Sequence, residues 1–412
     1  MDNLEAEVEV PRFFVCPISL EIMKDPVTLS TGITYDRDSI EKWLFTQKKN
    51  FCPVTKQVVL DIELTPNHTL RRLIQSWCTL NASYGIERFP TPRLPISKTE
   101  IIKLLQDSNS PQQQMMSLKR LKSIVLENEK NKRLVESVGA VGYLSNIINN
   151  GINDNNMMTS SSVAGELTGA DEALSILYHL KLSQMGLKSL FGKTVNFVET
   201  LTRVMSRAAG YESRAYAVML LKSMFEVAEP MQVTSLNPNF FMQLVQILND
   251  QISPKATKAT LKLLINVCPW GRNRIKAVEA GAVAVLIDTL LDSCTEKRTL
   301  EMALTVLGQV CQSAEGRSEL LTHAGGLAVV SKRIFRVSSL ASEKAVRVLY
   351  SVAVFSGSAR VVQEMLEVGV VEKLLLVLQV DCGCKMKEKA REILKMHARV
   401  WKKSPCIKYN FV

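Results

Sequence analysis

A glycine-centred phrase recurs at a fixed spacing through the last two thirds of the chain. Gly281, Gly325 and Gly369 lie 44 residues apart, and Gly139 precedes Gly281 by close to three such intervals. Each glycine follows a helix-forming stretch and precedes an apolar one, as in Val-Glu-Ala-Gly281-Ala-Val. A glycine at such a place can end a short helix in the left-handed conformation and let the next helix pack closely. The spacing therefore predicts an array of stacked helical units.

A second series of helices follows the same rhythm. Apolar residues recur at helical spacing (i, i+3, i+4, i+7) in Ala217/Leu220/Leu221/Met224, Leu261/Leu264/Ile265/Cys268, Ala345/Val348/Leu349/Val352 and, with a histidine at the last place, Ala390/Ile393/Leu394/His397. Because one helix pair cannot bury its apolar face alone, neighbouring pairs are expected to stack into a solenoid. The polar segment from Asn149 to Gly169 is predicted to be an inserted loop. Lys385 to Lys403 is predicted to be a basic amphipathic helix that caps the array.

Composition and prolines divide the 412-residue chain into unequal parts. Three prolines within Phe89–Pro95 favour an extended spacer. We therefore predict a compact module at 8–85, a linker at 86–97, helical repeats at 98–403 and a tail at 404–412. Residues 1–85 carry a net charge of −2 and the remainder +13. A basic body is compatible with acidic proteins, phosphorylated segments, nucleic acid or anionic lipid as partners. A solvated surface that is simply basic is the preferred interpretation, and a nucleic-acid role is not expected.

The sequence contains no pattern typical of a targeting peptide, a membrane span or a disulfide framework. The N-terminal segment is acidic, whereas signal and transit peptides are basic, and the longest apolar run, Gly281 to Leu291, is too short to span a membrane. The nine cysteines are scattered and odd in number, which is typical of reduced thiols. We expect a cytoplasmic location, possibly also nuclear, and no transmembrane segment.

The N-terminal module is predicted to be a small mixed fold. Val27–Leu29 and Ile33–Tyr35 flank a Ser-Thr-Gly turn and are expected to form a hairpin. Asp36 is predicted to cap a helix whose apolar residues are Ile40, Trp43 and Leu44, and Asn67 to cap a second helix.

Metal binding is the main question for this module. Cys16 and Cys52 suggest a zinc-binding RING domain, but Ser19 stands where a second ligand would follow Cys16, and Val54 or Thr55 where one would follow Cys52. The available ligands are too few for two ordinary four-ligand sites. We therefore predict neither a metal nor a cofactor. The expected substitute is a structural polar network made by Glu21, Asp25, Asp36, Arg37, Thr55 and Gln57.

Five segments of this module, in order, resemble the U-box. They are Phe14-Val-Cys-Pro-Ile18-Ser-Leu20-Glu-Ile-Met-Lys-Asp25-Pro-Val, Gly32-Ile-Thr-Tyr35-Asp-Arg37, Ile40-Glu-Lys-Trp43-Leu, Cys52-Pro53-Val-Thr-Lys-Gln and Leu64-Thr-Pro66-Asn67-His-Thr-Leu-Arg71-Arg-Leu-Ile74. The Glu-Ala-Gly-Ala-Val phrase and its period resemble the armadillo repeat. The whole chain resembles the plant U-box/armadillo ubiquitin ligases whose U-box lies at the N-terminus. This resemblance implies a small α+β, zinc-free RING-like module followed by an all-α armadillo-repeat solenoid.

The resemblance also implies particular site residues. A groove for a ubiquitin-conjugating enzyme would be formed by Ile18, Leu20, Trp43 and Pro53, and Lys56 would position the carried ubiquitin. Helical spacing alone favours a core position for Trp43, whereas the resemblance favours the interface. A lysine at position 56 lacks the bidentate fork of arginine.

The implied activity is that of a ubiquitin-protein ligase without a catalytic nucleophile of its own. The conjugating enzyme would carry ubiquitin, and the basic array would hold a protein substrate; homo- or hetero-oligomers are possible. The resemblance also implies a role in plant stress and defence signalling. Two alternatives remain open. A ligase could accept ubiquitin on Cys382 or Cys384, or the array could be a nuclear-import-like adaptor, although Gln309 and Ser351 replace the asparagine of Asn266 along the expected ladder.

Overall fold

A computed structural model describes residues 10–47, 49–59, 63–82, 96–108, 110–154, 168–192, 197–207, 210–292 and 294–402. The chain forms two compact units: Met1–Asp107 with Lys119–Val138, and Ser108–Leu118 with Gly139–Val412. Most of the predicted linker at 86–97 and the whole predicted tail at 404–412 lie outside the described residues.

The first unit contains three short strands and the first helices. The strands are β1 (Pro26–Thr28), β2 (Thr34–Asp36) and β3 (Thr65–Pro66). A 3₁₀ turn spans Arg12–Phe14 and a π-helical turn spans Lys42–Thr46. The helices are α1 (Arg37–Glu41), α2 (His68–Leu80), α3 (Lys98–Asp107), α4 (Gln114–Glu127, divided between the two units) and α5 (Glu129–Ser137).

Helices make up the second unit. They are α6 (Ala140–Asp154), α7 (Gly169–Leu180), α8 (Gln184–Ser189), α9 (Phe197–Met205), α10 (Tyr211–Phe225), α11 (Pro230–Thr234), α12 (Pro238–Asp250), α13 (Pro254–Val267), α14 (Gly271–Glu279), α15 (Ala282–Leu291), α16 (Lys297–Val310), α17 (Ala314–Thr322), α18 (Gly326–Arg333), α19 (Ser339–Ser356), α20 (Ala359–Glu367), α21 (Val370–Gln379), α22 (Cys384–Met396) and α23 (Ala398–Trp401).

The N-terminal module folds around a three-stranded antiparallel sheet of order β2-β1-β3. The predicted hairpin is present, with Val27 paired to Tyr35. Asn67 caps α2 as predicted, because its side-chain oxygen accepts the backbone amide of Leu70 at 3.0 Å. Asp36 does occupy the N-cap position of α1, but its carboxylate makes no cap hydrogen bond. The prediction that Asp36 caps this helix is therefore wrong, since its side chain bonds elsewhere.

The core of this module combines sheet, helix and loop residues. Its buried members are Phe14, Cys16, Met23, Val27, Leu29, Tyr35, Ile40, Leu44, Cys52, Val59, Ile74 and Cys78. Two of the predicted groove residues, Ile18 and Trp43, pack against this cluster while remaining partly exposed.

The second unit is built from repeats of three helices. One series, α7, α10, α13, α16, α19 and α22, packs each helix against the next. A second series, α6, α9, α12, α15 and α18, does the same, and short helices such as α8, α11, α14 and α17 connect the two. This arrangement confirms the predicted all-α solenoid, because each repeat buries its apolar faces only against its neighbours.

The repeated glycines follow the prediction at three of four places. Gly139, Gly281 and Gly369 have φ of +86°, +85° and +72°, the left-handed region that glycine favours. Gly325 has φ −104°, so the prediction is wrong for this repeat. Here α17 ends at Thr322 and His323 follows in an extended conformation. The tight approach falls on Gly326, where a Cβ would lie 2.1 Å from the carbonyl oxygen of Leu320.

Two other predictions need correction. The segment Asn149–Asp154 is not loop but the end of α6, and buried Asn149 accepts a hydrogen bond from the Thr200 hydroxyl at 2.5 Å. The remainder of the predicted loop, apart from Thr168 and Gly169, lies outside the described residues. The basic C-terminal helix is two helices, α22 and α23, because the chain turns at His397. Within the described ranges, no helix combines the length and apolarity that crossing a membrane requires.

Candidate functional site

Two loops of the N-terminal module have the same backbone hydrogen bonding. In the first, the Cys16 amide donates to the Glu21 carbonyl at 2.8 Å and the Leu20 amide donates to the Cys16 carbonyl at 2.9 Å. In the second, Cys52 donates to Gln57 at 2.8 Å and Lys56 donates to Cys52 at 3.0 Å. The segments Cys-Pro-Ile-Ser-Leu-Glu and Cys-Pro-Val-Thr-Lys-Gln thus form one loop type twice.

In each loop the residue four places after the cysteine has a left-handed backbone. Leu20 has φ +59° and Lys56 has φ +60°, a conformation that costs a residue with a Cβ about 1–2 kcal/mol. Leu20 is 77% exposed and Lys56 is also exposed. An apolar side chain held outward at this cost has no role in the core of the module, so it is available to a partner.

Two adjacent residues of strand β2 form hydrogen bonds with the cysteines of the two loops. The Tyr35 hydroxyl and the Cys52 thiol are in hydrogen-bond contact at 3.0 Å, and the Asp36 amide donates to the Cys16 sulfur at 3.3 Å. Both cysteines are fully buried. The same strand therefore contacts the buried cysteine sulfur of each loop.

The Cys52 sulfur is the centre of a small polar cluster. It accepts hydrogen bonds from the Thr31 hydroxyl at 3.4 Å and the Thr55 amide at 3.5 Å, in addition to its contact with Tyr35. Burial alone would raise the pKa of Cys52, but these hydrogen bonds outweigh it and lower the pKa from its ordinary value of 9.0 to about 6. Burial, with the contact to Cys52, raises the pKa of Tyr35.

A second polar group ties β2 to the start of the sheet. One carboxylate oxygen of Asp36 accepts the amides of Lys24 at 2.8 Å and Asp25 at 2.9 Å, which explains why it does not cap α1. The Asp25 carboxylate in turn pairs with the Arg37 guanidinium at 2.5 Å. Burial raises the pKa of Asp36, although both backbone hydrogen bonds oppose this. Asp25, Asp36 and Arg37 therefore form one network.

The remaining residues of the predicted network contribute differently. Glu21 and Gln57 are exposed, and within the described part of the chain their side chains make no hydrogen bond or ion pair; only their carbonyls close the loops. Thr55 accepts the Gln57 amide at 3.5 Å within its own loop. The expectation that all six side chains form a single network is therefore not met: the Glu21 and Gln57 side chains are exposed, and Thr55 contacts the Cys52 sulfur and not the Asp25–Asp36–Arg37 group.

Trp43 lies between core and surface. It packs against the core cluster, and its indole N–H donates to the Phe51 carbonyl at 2.8 Å. Its ring meets the Phe51 ring edge to face at 5.6 Å between centroids, and the Lys49 ammonium lies 3.9 Å from the ring centroid. These contacts hold the ring in one orientation, so Trp43 serves the packing of the module while it remains partly exposed.

The other predicted groove residues lie on the same two loops. Ile18 and Pro53 are half-buried, and Val54, which matches Ile18 in the second loop, is 50% exposed. The Lys56 ammonium lies 5.8 Å from the Phe51 ring centroid. Lys49 and Lys56 thus flank the Trp43–Phe51 pair with positive charge.

Sequence reasoning missed four residues here: Tyr35, Lys49, Phe51 and Val54. The repeated Cys-Pro pattern could have revealed Val54, since the two loops align residue by residue. In the described residues, no three or more histidine, cysteine, aspartate or glutamate side chains are grouped so as to hold a metal ion.

Comparison with known proteins identifies the family. The model of the U-box domain matches residues 10–83, and the model of the plant U-box protein ARM repeat region matches residues 99–411. Three Arabidopsis thaliana proteins are similar over 99% of this chain: the E3 ubiquitin-protein ligases PUB23 (58% identity, 98% of its length), PUB22 (54%, 98%) and PUB24 (38%, 96%). The chain therefore belongs to the plant U-box proteins with an armadillo repeat region, a family of E3 ubiquitin-protein ligases.

Proposed function

We propose that the two matched loops and the partly exposed Trp43 dock a ubiquitin-conjugating enzyme that carries ubiquitin. The observation that carries this proposal is the exposure of Leu20 on a loop that is closed by two backbone hydrogen bonds. Leu20 would insert into the partner, with Ile18, Pro53 and Trp43 forming the rest of the surface. Such an apolar anchor, surrounded by weaker contacts, is typical of a binding hot spot.

The reaction itself takes place on the conjugating enzyme. The amine of a substrate lysine attacks the thioester carbonyl, an amide bond forms, the carbon–sulfur bond breaks, and the conjugating enzyme's cysteine leaves as the thiol after the amine loses a proton. In the N-terminal module Cys16, Cys52 and Cys78 are buried and hence shielded from a ubiquitin C-terminus. The ligase contributes proximity and orientation without a covalent intermediate.

Lys56 is assigned the positioning of ubiquitin. It is exposed beside Phe51 at the place in the second loop that corresponds to Leu20 in the first. Its ammonium would contact both the conjugating enzyme and ubiquitin, which restrains the thioester in a reactive posture. The armadillo array holds the substrate and raises the local concentration of its lysines near the thioester.

Thioester discharge tests this proposal directly. Full-length protein is mixed with a charged conjugating enzyme, and both binding and lysine-dependent discharge are measured. Leu20→Ala should weaken binding by roughly thirtyfold, corresponding to about 2 kcal/mol. Lys56→Ala should slow discharge more than it weakens binding of the uncharged enzyme. A ubiquitin thioester trapped on Cys382 or Cys384 of this chain would instead establish a covalent mechanism.

A further inference from the structure

Two neighbouring cavities lie in the array at the C-terminal ends of α7, α10 and α13. The first, of about 280 Å³, is bounded by Lys181, Leu182 and Glu226, and the second, of about 430 Å³, by Phe225, Glu226 and Trp270. Each residue named for the first cavity precedes its counterpart in the second by 44 residues. The cavities are thus the same place in successive repeats, and they meet at Glu226.

The residue between the cavities is surrounded by positive charge. The Glu226 carboxylate pairs with the Lys222 ammonium at 3.0 Å and the Lys262 ammonium at 2.7 Å. Burial alone would raise the pKa of Glu226, but the two lysines outweigh it and the pKa is lowered. One carboxylate and two ammonium groups leave one positive charge, and Lys262 is half-exposed. A further carboxylate brought by a ligand would balance this group.

Asn266 lines the second cavity with an unused amide. In the next repeat the equivalent Gln309 donates to the Ile265 carbonyl at 3.1 Å, and in the one after it Ser351 donates to the Cys311 carbonyl at 2.6 Å. Those two side chains join neighbouring repeats. Asn266, by contrast, makes no side-chain hydrogen bond within the described residues. Its amide can therefore both donate to and accept from a peptide backbone.

Trp270 closes the second cavity at the beginning of α14. Its side chain is 38% exposed, and its indole N–H has no acceptor among the residues that the structure describes. A half-exposed tryptophan beside an unused amide and a lysine offers apolar area with polar groups at its rim. This combination is typical of a surface that binds a peptide.

We propose, on the basis of the substrate-holding role assigned to the array, that the two cavities bind an extended acidic segment of the substrate. One apolar side chain enters each cavity, a carboxylate between them contacts Lys222 and Lys262, and Asn266 bonds the backbone. Packed helices lie about 8–10 Å apart, so equivalent cavities are separated by roughly that distance. In a polyproline-type extended chain, side chains three residues apart face the same way and lie about 9 Å apart. The segment therefore carries apolar residues at i and i+3 with acidic residues between them.

Fluorescence anisotropy with the full-length protein tests this inference. The probe is a fluorescein-labelled decapeptide with phenylalanine at i and i+3 and aspartate or glutamate between; its counterpart has lysine in place of every acid. We expect the acidic peptide to bind more tightly by at least tenfold, and less tightly as salt rises. Trp270→Ala and Lys262→Glu should each weaken its binding at least tenfold.

Matched controls lie two repeats on, 85 residues later, which is the interval that separates Asn266 from its equivalent Ser351. Phe355→Ala removes a 67% exposed ring, and Arg347→Glu reverses an exposed charge; both should leave binding within twofold. Thermal unfolding shows whether the Trp270→Ala variant folds. If it does not, peptide binding by the Lys262→Glu variant tests the inference. Binding that ignores peptide charge, or that the controls weaken as much as Lys262→Glu does, overturns the inference. Self-ubiquitination by the unmodified chain without peptide tests the proposed ligase mechanism separately.

Discussion

Leu20 and Lys56 occupy equivalent left-handed positions, and each donates its amide to the carbonyl of the cysteine four residues before it, Cys16 at 2.9 Å and Cys52 at 3.0 Å. One residue is apolar and the other is cationic. The same loop geometry therefore presents two different chemistries, which the proposed function assigns to docking and to ubiquitin positioning.

Glycine at these two positions should separate activity from stability. Leu20→Gly and Lys56→Gly remove a side chain and also the strain of a Cβ at positive φ, which about offsets the greater flexibility of glycine in the unfolded chain. We expect stability to be unchanged or raised by up to about 1 kcal/mol in both variants. Leu20→Gly should lose binding of the conjugating enzyme, and Lys56→Gly should mainly lose discharge rate. A loss of stability in step with the loss of activity would contradict this assignment.

Trp43 should affect both folding and docking. Because it packs on the core and donates to the Phe51 carbonyl, Trp43→Ala should destabilise the module by about 2 kcal/mol or more. Trp43→Phe keeps a ring but loses the hydrogen bond, which should cost about 1 kcal/mol. Hydrogen exchange of peptides from residues 10–59 in the full-length protein measures both effects. Unchanged protection in Trp43→Ala would make this residue purely an interface residue.

The N-terminal module should become more stable as the pH rises from 6 to 9. The folded-state pKa of Cys52 is about 6 and its ordinary value is 9.0, so in this window the unfolded chain binds more protons than the folded one. The free energy of unfolding then rises by at most about 1.4 kcal/mol per pH unit, and the contribution is lost as the pH falls through 6.

This dependence can be measured as hydrogen-exchange protection of residues 10–59, after correction for the pH dependence of exchange itself. Cys52→Ala should flatten the slope. Cys78→Ala, in which a buried thiol of raised pKa is removed, should leave the slope between pH 6 and 9 in place. Equal slopes in the unmodified protein and Cys52→Ala would show that Cys52 remains protonated.

The two kinds of repeat glycine should respond differently to alanine. A Cβ on Gly281 meets nothing within 4 Å, so the cost of Gly281→Ala comes from its φ of +85° and should be about 1 kcal/mol. Gly325→Ala, at φ −104° and with only ordinary contacts, should be neutral. Urea unfolding of the full-length protein, followed by circular dichroism of the helices, compares the two. Equal destabilisation would mean that packing, and not backbone conformation, selects these glycines.

Much of this protein follows from local sequence signals. The 44-residue glycine spacing and the i, i+3, i+4, i+7 pattern predict stacked helices because helix geometry depends on near neighbours. The left-handed glycines at 139, 281 and 369 and the Asn67 cap are also local, and the structure confirms them. The segments around Cys16 and Cys52, in their order along the chain, were sufficient to indicate the U-box.

The tertiary structure decided which partners the polar groups find. Asp36 has the right position to cap α1, yet its carboxylate bonds amides 11 and 12 residues away that the sheet brings closer. Cys52 accepts hydrogen bonds from residues up to 21 positions away. The orientation of Trp43 depends on its hydrogen bond to the Phe51 carbonyl, which helical periodicity does not predict. Gln309 and Ser351 bond across repeats while Asn266 does not. Hydrogen-bond partners and exposure depend on distances between remote segments, and those distances exist only once the chain has packed.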